Sequence, residues 1–337
     1  MVLVESYPVA VLMCVITMIC WGSWANTQKL ATKEWRFQLF YWDYCLGVLL
    51  LTLLFAFTLG STGEYGRGFL DDLRQSQGKY IGYAMLGGVI FNVANILLVA
   101  AIDIAGMAVA FPIGIGLALV IGVITTYRVD PVGNPIPLFT GVACVAAAIV
   151  LDALAYRRIP SSGQKTTVKG IALSILCGVL MGQFFPFVAT AMPPLDRIAD
   201  PEMAGKLTPY TALVFFAIGL FLSSFVVNSL VMMKPFVGDP VPFCDYFTKG
   251  SAWLHTVGIV GGMIWGVGMS FAILAGDTAG YAISYGLGQG ATMVAALWGV
   301  FVWKEFRNAG PGTNRLLGSM FVLFVVGLAL IVYANID

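Results

Sequence analysis

Charge is scarce in this sequence, at 10% of 337 residues, and it nearly cancels to a formal net charge of +1. No basic patch interrupts the chain, which excludes nucleic acid and other polyelectrolytes as partners. Histidine occurs once, as His255, and there is no nucleophile–base pair or metal-ligand cluster. Neither an enzyme nor a bound cofactor is therefore expected. Of six cysteines, Cys14, Cys20, Cys45, Cys144 and Cys177 fall in apolar runs and Cys244 in a loop. They lack paired metal spacing and read as small core residues. The first residues carry Glu5 but no basic cluster, so a cleaved signal peptide is not expected.

What abounds is apolar sequence, with 59% hydrophobic residues and a mean hydropathy of +0.89. Runs longer than about 18 residues recur, each able to cross a ~30 Å hydrocarbon core. Backbone groups in lipid must bond to one another, so these runs read as helices. Ten spans are predicted, near 8–28, 37–60, 80–102, 105–127, 134–156, 168–192, 208–232, 251–275, 279–303 and 315–335. Ten crossings put both termini on one side. The loops away from the termini carry twelve Lys/Arg, from Lys29, Lys33 and Arg36 to Lys304, Arg307 and Arg315, against six on the terminal side. Positive charge favours the cytoplasm, so the termini are expected outside an inner (cytoplasmic) membrane.

The chain repeats itself. Shifted by 174 residues, Gly87–Leu117 lies on Gly261–Ala291 with 11 identities in 31 positions, including Asp103-x-Ala-Gly106 against Asp277-x-Ala-Gly280. The copies are spans 3–4 and 8–9, five apart, so the second enters the membrane inverted. Inverted repeats accompany alternating access, in which each half opens to opposite sides in turn. The expected fold is all-α and polytopic, with ten transmembrane helices as two inverted five-helix repeats, 1–156 and 168–337. A short cytoplasmic linker, 157–167, joins them. Asp103 and Asp277 sit between spans and read as N-caps of the following helices, with transport chemistry as the alternative.

Candidate site residues lie where the apolar runs are interrupted. Phe111-Pro-Ile-Gly-Ile-Gly116 and Tyr285-Gly-Leu-Gly-Gln-Gly290 break spans 4 and 9 at matching places, as midplane substrate sites do. There Tyr285, Gln289 and Thr292 share a helical face, opposite Phe111, Ile115 and Ala118 in the first copy. One half has polar groups where the other is apolar, which suits an asymmetric substrate; interhelical bonding is the alternative. Asn92 and Asn95 on span 3 must find a partner or face water. Span 1 adds Trp24 and Asn26, while Trp21 and Trp42 read as interfacial belt residues. Gln183 and Trp265 are lesser candidates, His255 reads as interfacial and Asp152 as a boundary residue. The Gly258-x-x-x-Gly262-x-x-x-Gly266 row, matched by Ala84, Gly88 and Asn92, is a small-residue seam for close helix packing.

Asp43 stands seven residues past Arg36, roughly 10 Å along a helix. A carboxylate at that depth is costly and suits a group that takes up and releases a proton. The alternative is an ion pair with Lys29, Lys33 or Arg36.

With these residues in view, the chain resembles the drug/metabolite transporter superfamily, specifically its ureide permease-like branch. The marks are Gly22-Ser-Trp24, Asp43-Tyr44, Gly87-Gly88, Asn95, Phe185-Pro186, Tyr210-Thr-Ala212, Ala279-Gly-Tyr-Ala282, Trp298-Gly299 and Lys304-Glu305. Plant members of that branch, by this resemblance, are proton-linked importers of allantoin and uracil-like heterocycles with a phosphate-loop-like motif in a long central loop. Here that loop is short and Ser162-Gly-Gln-Lys-Thr166 lacks the full motif, so nucleotide binding is not implied. The Gly/Trp opening, the Pro112 break and the Trp298–Glu305 end also resemble glucose/ribose porters and rhamnose–proton symporters.

The expectation is a secondary transporter, proton-coupled, with a cavity lined by spans 1, 3, 4, 6, 8 and 9. A small neutral polar solute is expected, with a lean toward a monosaccharide such as ribose. The alternatives are a ureide or nucleobase permease and an exporter on the same fold. The partners expected are the solute, protons and the lipid bilayer, with the chain a monomer or homodimer.

Overall fold

The computed structural model describes residues 1–31, 35–160, 167–194, 197 and 200–336, with the backbone alone at 107, 108 and 201. Ten helices are long and apolar enough to cross a membrane: α1 (Tyr7–Ala31), α2 (Phe37–Phe57), α3 (Gly78–Ala105), α4 (Phe111–Val129), α5 (Pro135–Tyr156), α6 (Val168–Thr190), α7 (Pro209–Met233), α8 (Ala252–Ala279), α9 (Tyr281–Val302) and α10 (Thr313–Tyr333). The chain is a polytopic helical membrane protein, and no strand forms among the described residues. Large exposed apolar side chains such as Leu12, Leu54, Leu222, Val322 and Val325 face outward, where a bilayer would receive them. The basic linker segment 161–166, with its Ser162–Thr166 motif, lies outside the described residues, as does Lys33.

Local chemistry sets the helix ends. Proline occupies the first turn of α1, α5 and α7, where a missing amide costs nothing. Asn134, Thr167 and Ser251 cap α5, α6 and α8 by accepting from Ile136, Gly170 and Leu254 amides at 3.0, 3.1 and 3.3 Å. Asp103 and Asp277 do not open the following helices. They lie in the last turns of α3 and α8, which run on to Ala105 and Ala279, beyond the expected ends at 102 and 275. What stops each helix is the glycine of the shared motif: Gly106 has φ 79° and Gly280 φ 89°. That backbone region is open to glycine at little cost. The fourth span accordingly starts at Phe111, later than expected, after a short turn over Met107–Ala110.

Glycines let the helices meet backbone to backbone, and they do so twice in the same way. Gly262 on α8 packs on the Tyr44 carbonyl and Val48 amide of α2, while Gly88 on α3 packs on the Phe216 carbonyl and Leu220 amide of α7. Gly47 on α2 abuts the Ile259 backbone and Gly219 on α7 abuts the Met85 backbone. Gly88 and Gly262, like Met85 and Ile259, are 174 residues apart, the spacing of the sequence repeat. The α2–α8 seam is thus rebuilt as α7–α3. At the bundle's edge α5 and α10 close on each other through Gly141 and Gly327.

Candidate substrate cavity

Three helices are interrupted along their length, a fourth opens on an irregular turn, and these points converge. In α1 the helix reforms after Trp24; in α6 it pauses at Gly182–Gln183; in α9 at Gln289–Gly290. The head of α4 is a π-helical turn over Phe111–Ile115, where Pro112 removes a backbone donor. Small residues bring these breaks together: Gly22 lies on α9 against Ala291 and Val294, and Gly182 lies on α4 against Ile121 and Gly122. The continuous helices α3 and α8 complete a cavity of about 210 Å³.

Its wall is mostly aromatic. Trp265 of α8 stacks on Trp21 at 5.9 Å and 12° and lies 4.3 Å from Phe91. Trp24 leans on Tyr44 at 4.9 Å, and Phe184 closes the α6 side. The polar groups on the wall are Gln28, Asn95, Gln289 and Thr292; among the described residues no charged side chain lines it. Asn95 donates to the Tyr41 hydroxyl over 3.4 Å, which orients its carbonyl oxygen. Thr292 donates to the Gln289 backbone carbonyl at 3.0 Å. The Gln289 side-chain amide, 8% exposed, has no protein partner among the described residues.

Of the residues expected at the site, Trp24, Asn95, Trp265, Gln289 and Thr292 are on this wall. Four others are placed elsewhere. Tyr285 is fully buried, and its hydroxyl lies 3.2 Å from the carbonyls of both Ala118 and Met181, so it struts α9 against α4 and α6. Asn92 donates to Ser223 at 2.7 Å and joins α3 to α7. Asn26 donates to the Ser23 carbonyl and accepts from the Trp303 indole at 2.6 Å, tying α1 to the end of α9. Gln183 sits in the α6 break but off the wall. Residues not foreseen as wall are Trp21, Gln28, Phe91 and Phe184. Helical spacing carried a signal for two of them: Gln28 is four residues past Trp24, and Phe91 four before Asn95.

The cavity leads one way. Gln28 and Val99 are shared with a second hollow of about 250 Å³ that includes Arg36 and Asp103. Toward the termini it is sealed by Phe184, Phe185, Tyr281 and Tyr285, whose rings pack at 5.2–6.3 Å. Beyond that seal lies a separate hollow of about 340 Å³ with Asp130, Lys206 and Asp277.

Asp43 is buried one layer behind the wall, next to Tyr44. Neither Lys29 nor Arg36 pairs with it: Lys29 pairs with Glu305, and Arg36 donates to the Asp239 carbonyl at 2.8 Å. Its partners are Tyr246, whose hydroxyl donates at 2.6 Å, and His255, whose Nδ1 lies 3.0 Å from both carboxylate oxygens. His255 is therefore not a free interfacial residue. Burial, and then the Asp43 carboxylate, raise the Tyr246 phenol above its ordinary range.

Ten helices able to cross a membrane, around a cavity that no charged side chain lines among the described residues, are an architecture suited to a membrane permease. Residues 40–162 and 150–334 match the Ureide permease family model, and the chain belongs to that family. It is 24% identical to Ureide permease 4 and 23% identical to Ureide permease 1, both of Arabidopsis thaliana, over 99% of each chain. A protein crystal structure has the same fold at a TM-score of 0.62 and 16% identity, covering 96% of both chains. The relatives turn the expectation from a monosaccharide to the ureide alternative.

Proposed function

We propose that this chain is a proton-coupled, alternating-access carrier of a small neutral ureide or nucleobase-like heterocycle. The observation that carries the reading is the Gln289 amide, without a protein partner among the described residues, on a wall of stacked rings where none of those residues brings a charge. A ureide unit, –NH–CO–NH–, sets donors beside an acceptor, and a carboxamide offers the complementary acceptor and donors. Asn95 supplies a second amide, and a planar solute packs its face on Trp265 or Trp24. At about 210 Å³ the cavity is below the roughly 300–1,000 Å³ of drug-sized sites, which suits a small solute. Among the described residues the wall has no fixed cation for a phosphate ester, which argues against sugar phosphates.

The halves 1–156 and 168–337 act as inverted repeats, the architecture implied by the drug/metabolite transporter resemblance. Their equivalent seams, α2–α8 and α7–α3, support this reading. The excess of Lys and Arg on the side away from the termini puts those loops in the cytoplasm and the protein in the cytoplasmic membrane. The open hollow beside Gln28 then faces inward. Asp43 serves as the coupling carboxylate.

The wall indoles report binding. Titrating purified protein with allantoin or uracil is expected to quench tryptophan emission saturably, and Gln289→Leu to weaken the affinity by roughly tenfold, the worth of one buried hydrogen-bond pair. Quenching by ribose but by neither heterocycle would overturn the assignment.

A further inference from the structure

Asp43 is 1% exposed, on the α2 face that packs against α8, and is not part of the cavity wall. His255 comes from the first turn of α8, and Tyr246 from the short helix Asp245–Thr248 in the preceding loop. Trp35 covers the imidazole edge-on at 5.2 Å and lies 5.9 Å from Tyr246. Beside His255 Nε2 the chain is Gly250, where any side chain would overlap the ring. The His255 side chain keeps 27% of its surface exposed, so solvent reaches the dyad through the imidazole and not through the carboxylate.

Of the other ionisable groups nearby, Lys29 pairs with Glu305, Arg36 donates to the Asp239 main-chain carbonyl and Lys249 pairs with Asp245. The Tyr44 ring packs on Trp24 and Trp265, and its buried hydroxyl has no partner among the described residues. Asp43 thus has one titratable partner among the described residues that can carry a positive charge, and that partner is the sole histidine of the sequence.

We propose that Asp43 and His255 together form the binding site of the coupling proton, with Tyr246 as the latch that holds the carboxylate between α2 and α8. The proposal rests on the transport reading above. An ionised carboxylate only accepts, so His255 Nδ1 carries the hydrogen between them. Uptake places one proton on the Nε2 lone pair and takes the dyad from one net negative charge to none; release returns that proton to water and restores the charge. A lone buried negative charge is costly where a neutral pair is tolerated.

The seam around the dyad is tight. Gly258 packs on the Asp43 side chain and Gly262 on the Tyr44 backbone, so that the two helices meet there without an intervening side chain from α8. The protonated dyad therefore fits the closed α2–α8 seam seen here, and loss of the proton favours parting it. Tyr44 carries that movement to the cavity through its contacts with Trp24 and Trp265. Proton and solute are then coupled through a shared seam and do not compete for one pocket.

The test uses full-length protein without a histidine tag, in proteoliposomes, with His255→Gln, Asp43→Asn and Tyr246→Phe as variants. Under an inward pH gradient a one-proton carrier accumulates uracil or allantoin roughly tenfold per pH unit. In the Asp43 and His255 variants the steady-state ratio is expected to fall to about one; Tyr246→Phe, which keeps the dyad, is expected to accumulate with an altered pH profile. In parallel, ¹⁵N NMR of the single histidine is expected to give a far-downfield Nδ1–H signal that disappears in Asp43→Asn. Undiminished gradient-driven accumulation in His255→Gln, or a histidine signal indifferent to Asp43→Asn, would overturn the proposal. Wild-type protein that moves neither solute but keeps the Asp43-dependent signal would count against the transport reading and leave the dyad standing.

Discussion

Tyr285 and Gln289 stand four residues apart on α9, yet one is a strut and the other faces the cavity. An unbroken helix would put both on one face, but the helix stops at Gly288 and restarts at Ala291, and the turn between them redirects Gln289. The polarity of the segment was legible in the sequence and the break was as well; the rotation at the break was not. His255 was missed for a different reason. A lone histidine carries no spacing signal, and its partner Asp43 is 212 residues away. If Tyr285 is structural, Tyr285→Phe is expected to lower unfolding stability by about 1 kcal/mol, the worth of a typical hydrogen bond, with substrate affinity unchanged. Thermal unfolding and the quenching titration read the two effects separately, and a large loss of affinity with unchanged stability would return Tyr285 to the wall.

The elements were largely readable, because apolar length alone marks a span. What apolar length does not mark is where a helix ends, and there glycine decides: the Asp-x-Ala-Gly motif ends α3 and α8 at Gly106 and Gly280 in both copies. The glycine row on α8 was legible as a seam, but its partner was not, since spacing names a face and not what covers it. That partner is α2, with the Tyr44 carbonyl lying where a Gly262 side chain would go. The facing atoms are backbone and cannot yield cheaply. Gly262→Leu is therefore expected to cost about 3 kcal/mol, and Gly88→Leu at the equivalent α3–α7 contact a similar amount. Thermal unfolding in detergent would show both; a Gly262→Leu protein as stable as the parent would mean the seam is looser than described.

For the molecule as a whole, the informative feature is that equivalent positions are in different states. Tyr285 is sealed among Phe184 and Phe185, while Phe111, the residue 174 positions earlier, lines the open cavity. The alternating-access mechanism proposed above predicts such unequal closure at repeat-equivalent positions, with the closed and open roles exchanging between them. The family was legible in ordered short motifs spread across the spans; the cargo was not, because the residues that resemble sugar porters and those that resemble ureide permeases overlap. Counterflow addresses the cargo directly. Proteoliposomes loaded with unlabelled uracil or allantoin, then diluted into the same radiolabelled solute, are expected to show a transient overshoot of label that excess ribose does not suppress. Exchange of ribose without exchange of either heterocycle would contradict the assignment.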